Sequence, residues 1–341
     1  MVTSEKHSHD FVFALLHGKW ASAVKGEVLT RLLNSGTVEN LQRQLRTLGI
    51  QGYRRETFHR DLAVLHIRKL EEIADMLEPS ARQYYHAIAQ LAYFDNLKTL
   101  LTTRFCSDGN EDLSDLIVQA ASLPRLDAEA ALAAKSTADF LASVPLPAGV
   151  SAEQFAGIVQ ELEDSEEPMQ MECALDRLCY GEMLHAAKQT CLEMRKPAME
   201  LMRLWMDIVN LNMLFRVVRT YHFATEVLDH LWLEGGALPV ERLTEWAQSR
   251  DTASIASVLP EPFKTLLVPL ASGELYRCEN TLWNFLFQQA ARHFRNLAAP
   301  AHSIAAYPVL LHFQTLNLGR IFEGVHFGIP SREMQDMMIG A

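Results

Sequence analysis

The stretch DIVNLNMLFRVVR, residues 207–219, contains a six-residue pattern that recurs in related form twice elsewhere in the chain. The pattern is Asn-Leu-x-x-(Leu/Ile)-(Leu/Phe), and it occurs as NLKTLL from Asn96, NLNMLF from Asn210 and NLGRIF from Asn317. The copies are 114 residues apart (96 to 210) and 107 residues apart (210 to 317). This separation exceeds the roughly 20–50 residues of a solenoid repeat and indicates one small helical unit present three times.

Apolar side chains follow each asparagine at helical spacing. On a helical wheel, the residues one, four, five and eight places after the Asn form one stripe, with the Asn at its edge. The stripe contains Leu97, Leu100 and Leu101 in the first copy, Leu211, Leu214, Phe215 and Val218 in the second, and Leu318, Ile321, Phe322 and Val325 in the third. Each copy is therefore predicted to pack one helical face into a core.

The residue three places before each Asn lies near the centre of the same stripe, and it is Tyr93, Asp207 or Gln314. A polar group on a packed face needs hydrogen-bond partners, because leaving it unpaired costs about 1–3 kcal/mol. We therefore expect Asp207 and Asn210 to take part in a polar contact between helices. Gln314 and Asn317 would do the same in the third copy. The alternative is that each Asn borders solvent, and the threefold occurrence argues against it.

Helical periodicity also dominates the chain outside these copies. The sequence contains no Asn-Gly or Asp-Gly hairpin between alternating apolar runs, which argues against a β-rich fold. Prolines and short glycine-containing loops separate the helical patterns. The predicted helices cover residues 56–77, 81–105, 113–121, 128–142, 151–167, 172–195, 198–222, 239–248, 274–297, 307–325 and a short segment from 331. The predicted fold class is all-α.

The three copies divide the chain into three pseudo-repeated helical units. The clearest break is VPLPAG at residues 144–149. After each copy a glycine, which can end a helix in the left-handed conformation, precedes a further amphipathic helix; these glycines are Gly109, Gly236 and Gly328. The approximate units are residues 1–145, which include the N-terminal helices, 146–260 and 261–341.

Charge and cysteine content limit the possible classes of function. A formal net charge of −11 would repel nucleic acid, and the arginines between residues 43 and 60 are too dispersed to compensate. Five cysteines, without a C-x-x-C motif, predict reduced thiols in a cytosolic protein. No apolar run reaches the roughly 20 residues that span a bilayer, and the N-terminal apolar segment is too short for a secretory signal. We expect a cytoplasmic protein, with peripheral attachment to a membrane complex left open.

The sequence contains only incomplete motifs for catalysis, nucleotide binding or metal binding. The tripeptide His59-Arg60-Asp61 matches a kinase catalytic loop, but the other kinase motifs are missing from the sequence. There is no phosphate-binding glycine loop, so direct nucleotide binding of that kind is not expected. Cys173, Cys179 and Cys191 with His185 have no known zinc spacing, and burial as small apolar residues is the better interpretation. We expect no catalytic residues, no metal and no cofactor.

The sequence resembles a known family, the C-subunit family of the V/A-type rotary ATPases, whose eukaryotic V-type counterpart is designated d. The stretches that carry the resemblance are FDNLKTLLTTRF (94–105), DIVNLNMLFRVVR (207–219), LEGGALPVERL (233–243) and YPVLLHFQTLNLGRIFEGVHFGIP (307–330). The resemblance extends from about residue 20 to residue 338. The last stretch is the most specific.

The resemblance implies a funnel of three pseudo-symmetric helical units without an active site of its own. Such a protein is a rotor element of the central stalk: it contacts the shaft subunits and the membrane proteolipid ring, with stator subunits as further candidates. Two features depart from the family pattern. Only Asp207 keeps the carboxylate that usually stands three residues before each Asn, since Gln314 and Tyr93 occupy the other two places. Gly319-Arg320 is also unusual after the last Asn.

The expected function is therefore non-catalytic coupling of ATP hydrolysis or synthesis to H⁺ or Na⁺ transport. One alternative is an α-helical enzyme with a bundle cavity for an apolar substrate. Such an enzyme needs paired Glu-x-x-His motifs, and Glu182 with His185 provides only one. Another alternative is a free-standing helical adaptor protein.

Overall fold

The computed structural model of the protein describes residues 9–50, 54–106, 112–165, 168–221, 225–249 and 251–341. Within these ranges the chain forms helices and irregular segments without any strand, which confirms the all-α prediction. The predicted loop at 107–110 and most of the first glycine turn lie outside the described residues.

Nine helices precede residue 166 in the described chain: α1 (His9–Ala21), α2 (Gly26–Leu33), α3 (Val38–Thr47), α4 (Arg55–Ala74), α5 (Pro79–Ala89), α6 (Leu91–Cys106), α7 (Ala128–Leu132), α8 (Thr137–Ser143) and α9 (Ala152–Ser165). The later described helices are α10 (Pro168–Gln189), α11 (Leu192–Arg216), α12 (Thr225–Leu228), α13 (Val240–Ala247), α14 (Thr252–Val258), α15 (Phe263–Leu267), α16 (Leu275–Phe294), α17 (Pro300–His326) and α18 (Ser331–Met337). A π-helical turn, Val217–Tyr221, extends α11.

Several boundary predictions were wrong. The helix expected over 128–142 is divided into α7 and α8, and the one expected over 307–325 already begins at Pro300. The helix expected over 81–105 is divided at Gln90 into α5 and α6. The break expected at Pro197 falls instead at Thr190 and Cys191, and Pro197 lies inside α11. The Thr190 hydroxyl donates to the carbonyl of Ala187 at 2.8 Å and so helps to end α10. Pro197 lies in the second turn of α11, where it removes one backbone hydrogen bond without ending the helix.

The helix expected over 113–121 is absent, because the described part of this segment (112–127) is irregular. Its apolar residues Leu113, Ile117 and Val118 are nevertheless buried. Their spacing suggested a helical face. However, the N–H and the carbonyl of Val118 bond the side chain of Asn96 on α6, and they take no part in helical hydrogen bonds. Apolar spacing alone could not distinguish a buried loop from a short helix.

Helix α17 lies at the centre of the packing. It contacts α1, α2, α3, α4, α11, α16 and α18. Most of its side chains are buried, as expected for a helix that is surrounded by other helices. The second half of α17 and α18 share a separate apolar cluster with α2, α3 and the start of α4; its members include Leu29, Leu32, Leu41, Leu45, Phe58, Phe322 and Met334. The N-terminal helices therefore pack against the C-terminal ones.

A proline inside α17 is compensated by tyrosine hydroxyls from α5. Pro308 has no N–H, so the carbonyl of Ile304, four residues earlier, loses its helical partner. The hydroxyl of Tyr85 donates to that carbonyl at 2.8 Å, and Tyr84 donates to the next carbonyl, of Ala305, at 3.1 Å. Both tyrosines are fully buried. The two hydroxyls fasten α5 to α17 at the proline.

We predict that Tyr85→Phe destabilises the protein by about 1–3 kcal/mol, because it leaves the Ile304 carbonyl buried and unpaired. In a Pro308→Ala background the backbone N–H restored at this position can serve that carbonyl, so the same change should cost less. A double-mutant cycle by urea denaturation measures the difference.

The matched control for this cycle is Tyr84→Phe. The carbonyl of Ala305 keeps the possibility of a helical partner in Val309, so its loss should be smaller and insensitive to Pro308→Ala. Equal costs for Tyr85→Phe in both backgrounds would contradict the proposed compensation.

Candidate functional site

The three repeated asparagines make the same pair of hydrogen bonds. In each case the side-chain amide donates to the carbonyl of a residue 22 or 23 positions later and accepts from the N–H of that same residue. Asn96 pairs with Val118 at 2.7 and 2.8 Å, Asn210 with Leu233 at 2.9 and 2.8 Å, and Asn317 with Ile339 at 2.8 and 3.0 Å; these are the asparagine clamps.

Each clamp holds an irregular segment against a helix. Val118, Leu233 and Ile339 all lie outside helices and are all buried. A buried residue without a helical ladder leaves an N–H and a carbonyl to be satisfied, and an amide side chain can supply the complementary acceptor and donor. We expected these polar side chains to bond a neighbouring helix. In the structure the asparagines bond the backbone of a loop instead.

In the second copy the clamp is extended by Asp207. Its two carboxylate oxygens accept from the N–H groups of Ala237 at 3.1 Å and Leu238 at 2.9 Å. A side chain at Gly236 could not fit, because a Cβ there would lie 2.2 Å from an Asp207 oxygen. The Gly-Gly loop is therefore shaped by the approach of this carboxylate.

Burial of Asp207 raises the pKa of its carboxyl, and the two N–H donors offset only part of this effect. A carboxyl with a raised pKa in the folded state binds its proton more tightly there than in the unfolded chain. Its contribution to stability is therefore greatest below the ordinary value of 3.8 and decreases as the pH rises through the raised pKa.

The first copy obtains a carboxylate from a different helix. Glu71 of α4 accepts from the N–H of Ser122 at 2.8 Å. Ser122 is four residues after the clamped Val118, just as Ala237 is four residues after the clamped Leu233. Glu71 thus takes the role that Asp207 has in the second copy. Tyr93, which stands where the carboxylate is missing, donates its hydroxyl to the carbonyl of Pro145.

In the third copy other side chains hold the clamped segment. Arg320 donates to the carbonyl of Met337 and, at 3.1 Å, to the side chain of Asn280. The N–H of Gly340 donates to Asn284 at 2.8 Å. Gln314, for which we expected a polar contact with a neighbouring helix, is also buried. The unusual Arg320 thus holds the end of α18, two residues before the clamped Ile339.

Its neighbour Gly319 makes room for a histidine of α4. A Cβ at this position would lie 3.1 Å from Cε1 of His59, which is closer than most real contacts. His59 forms an ion pair with Glu323 of α17 across 2.9 Å when protonated. The unusual Gly319 therefore goes with a contact between α4 and α17.

A band of polar and aromatic side chains, some buried and some half-buried, connects four helices, and we call it the aromatic–histidine band. The ring centroids of Tyr180 (α10) and Trp205 (α11) are 6.3 Å apart, and those of Trp205 and His312 (α17) are 4.9 Å apart. His312 is 6.2 Å from His66 (α4), whose Nδ1 lies 3.1 Å from the Thr315 hydroxyl. Burial lowers the pKa of His66 to about 3 and that of His312 to about 4.

A charged pair includes Asp176, which lies one turn before Tyr180 on α10. Lys98 of α6 forms an ion pair with Asp176 of α10 at 2.6 Å and with Asp95 of its own helix at 3.6 Å. Burial raises the pKa of Asp176, and the nearby Lys98 opposes this rise. The pair adds a fifth helix, α6, to the band.

The structure does not bring together the residues that the sequence offered as candidates for catalysis or metal binding. His59 pairs with Glu323, and Arg60 pairs with Asp61 inside α4, so the kinase-like tripeptide is part of a helix. Cys173 and Cys179 are buried as apolar residues, whereas His185 is exposed. Among the described residues, no group of three or more His, Cys, Asp or Glu side chains is placed to hold a metal.

Several of these contacts could not be found from the pattern that identified the asparagines. Glu71 is 51 residues from Ser122, and nothing in its surroundings marks it. A usable signal existed for the clamped residues. In the second and third copies an apolar residue 22 or 23 positions after the Asn is followed within two residues by a glycine with positive φ, Gly235 or Gly340.

Together these features define a class of protein by its architecture: a helical framework whose loops are fixed to its helices by polar clamps. The model of the ATP synthase (C/AC39) subunit family matches residues 12–337, which is nearly the whole chain. The protein therefore belongs to this family of V/A-type ATP synthase subunits, as its asparagine-containing helices suggested. Among curated proteins, none matches the chain significantly.

We predict that Asn210→Leu destabilises the protein by about 1–3 kcal/mol, because both backbone groups of Leu233 lose their partner in a buried site. The control is Asn212→Leu on the same helix. Asn212 is also buried, but its side-chain oxygen has no partner among the described residues. Its replacement should be near neutral in urea denaturation, and equal losses for both variants would contradict a specific role of the clamp.

We also predict that stability falls as the pH decreases below about 6.5. A histidine with a lowered pKa stays neutral in the folded state while the unfolded chain takes up a proton, so its contribution is present above 6.5 and lost below it. His66 and His312 can each add a slope of up to about 1.4 kcal/mol per pH unit. His312→Gln should reduce the slope in denaturation curves from pH 7 to 4.5, whereas His185→Gln at an exposed position should not. An unchanged slope in His312→Gln would contradict the burial of a neutral imidazole.

Proposed function

We propose that this protein is the rotor subunit of the central stalk that links the rotating shaft to the membrane ion-carrying ring of a V/A-type ATPase. In this role it couples ATP hydrolysis or synthesis to transport of H⁺ or Na⁺ without an active site of its own. The observation that carries the proposal is family membership over residues 12–337.

The asparagine clamps support this role physically. A coupling element has to transmit torque without deforming, so its loops as well as its helices must be held. Each clamp fixes one buried loop residue by two hydrogen bonds, and well-packed interiors resist compression. This role needs neither a nucleophile nor a titrating catalytic pair.

In this proposal the chain forms a funnel of three units, approximately 1–145, 146–260 and 261–341. The threefold occurrence of the clamp supports three related units. The packing of α2 and α3 against α17 and α18 would join the beginning of the first unit to the third. Such a closed arrangement provides a socket and not a flat surface.

We assign the shaft contact to the aromatic–histidine band, through its half-buried members and not through the buried Trp205, and to the neighbouring Lys98–Asp176 pair. These side chains come from five helices, are held by neighbouring rings or ions, and combine aromatic with polar groups, as the centres of protein interfaces do. Attachment to the ring would be peripheral and on the cytoplasmic side. Among the described helices, none is both long enough and apolar enough to cross a bilayer.

Affinity purification of the tagged chain from detergent-solubilised native membranes tests the proposal. We expect the shaft subunits and the ring proteolipid to co-purify with it, together with ATPase activity of the head. Recovery of the chain only as a free monomer would contradict a rotor role.

A variant of the band locates the shaft contact. Tyr180→Ala should reduce recovery of the shaft subunits at least about tenfold, because truncation of a central aromatic residue typically costs more than 1 kcal/mol. Ring recovery should persist. Tyr276→Ala, at an exposed tyrosine outside the band, is the control and should change neither. Equal loss of ring and shaft in Tyr180→Ala would contradict the assignment of the band while leaving the rotor role intact.

A further inference from the structure

A corner of the fold where α16 ends and α17 begins holds two histidines in direct contact. Nδ1 of His293 lies 3.1 Å from Nδ1 of His302. Nε2 of His293 lies 3.2 Å from a carboxylate oxygen of Glu200, which comes from α11. We call these three residues the histidine corner. The turn between the two helices is short: the N–H of Asn296 donates to the carbonyl of His293 in α16, and the N–H of Ala299 donates to the carbonyl of Asn296.

The donors and acceptors of the histidine corner can be counted. A carboxylate only accepts, so Nε2 of His293 must carry the proton and donate to Glu200. A neutral imidazole has one N–H, so Nδ1 of His293 is then an acceptor. The amide nitrogen of Asn296 also faces Nδ1 of His302, but at 3.5 Å it is at the limit of a hydrogen bond, whereas Nδ1 of His293 is 3.1 Å away. The shorter contact places the proton between the rings on Nδ1 of His302, which leaves Nε2 of His302 with a free lone pair.

The hydrogen bonds of the histidine corner limit how many protons the two imidazoles can bind while they stay in contact. One added proton can bind to Nε2 of His302 and leaves both contacts intact. A second proton has to bind to Nδ1 of His293, where it would place two N–H groups and two positive charges 3.1 Å apart. The second protonation is therefore incompatible with the contact.

The charged groups around the histidine corner shift the pKa of its two histidines in opposite directions. Burial lowers the pKa of both histidines; Glu200 opposes this, and Lys196 of α11 and Arg292 of α16 reinforce it at His302 and His293 respectively. From α1, His17 approaches the neighbouring Ser303 to 3.4 Å and stacks on Phe294. Four helices thus meet at the corner, and its opening would affect all of them.

We infer that the histidine corner is an acid-sensitive latch, which fixes the α16–α17 connection at neutral pH, tolerates one added proton and releases the connection when both imidazoles are protonated. The inference rests on the geometry of Glu200, His293 and His302 and is independent of the rotor role. It defines a place where acidification changes the packing of α17 before the clamps are affected.

Nitrogen-detected NMR of the full chain tests the donor count. At pH 8 we expect the Nε2–H tautomer for His293 and the Nδ1–H tautomer for His302. Glu200→Gln can offer an amide donor to Nε2 of His293 and should invert both tautomers, which a purely space-filling role would not do. The Nε2–H tautomer at His302 in the wild type, or independent titration of the two rings as in exposed histidines, would overturn the inference.

Hydrogen exchange between pH 7 and 5 tests the release. After correction for intrinsic rates, exchange at the N–H groups of Asn296, Ala299 and His302 should rise at least about tenfold in the wild type. The clamped N–H groups of Leu233 and Ile339 report global opening and should change less. His302→Gln keeps a neutral donor toward His293 and should show less than about a twofold rise. An equal rise in His302→Gln, or none in the wild type, would refute the latch.

Discussion

The whole architecture depends on one interaction, the pairing of an asparagine side chain with both backbone groups of a single loop residue. An all-helical protein of this size has to bury some connections between its helices, and a buried connection lacks the hydrogen bonds that a helix supplies to itself. Asn96, Asn210 and Asn317 solve this problem in the same way. The amide is neutral, so the clamp avoids the desolvation cost that a buried charge would add, and its two bonds define the position of the loop.

Helix α17 shows how the remaining contacts are arranged around the clamps. It carries the third Asn, it contains a proline whose orphaned carbonyl is served by Tyr85, and it presents one histidine to α16 and another to α4. The tyrosine and the two histidines join α17 to three different helices, and Asn317 joins it to the segment after α18. The consequence is a central helix that is fixed by directional bonds at several levels, where apolar packing alone would allow neighbouring helices to slide.

The sequence predicted the parts of this design that depend on local periodicity and missed those that depend on distant partners. The long helices and the importance of the asparagines followed from apolar spacing and from the threefold pattern. The segment around Val118 was misassigned as a helix, because its apolar spacing resembles one and its true partner, Asn96, is 22 residues away. Glu71 was not recognisable, since a carboxylate on α4 acquires its role only when Ser122 is brought to it. The funnel and the rotor role are proposals that come from the family resemblance, and no local pattern contains them.

The departures from the family pattern are instructive for the same reason. A carboxylate is missing before Asn96, yet Glu71 reaches the equivalent N–H from another helix. Gly319-Arg320 is unusual, yet the glycine admits His59 and the arginine holds the end of α18. The requirement is therefore on the backbone group that must be satisfied, and the residue that satisfies it can come from elsewhere. The asparagines themselves do not titrate, whereas Asp207 and the histidines of α4, α16 and α17 do. A change of pH consequently acts on the contacts between the clamped elements and leaves the asparagine clamps in place. The loops therefore stay fixed to their helices while the contacts between helices can change.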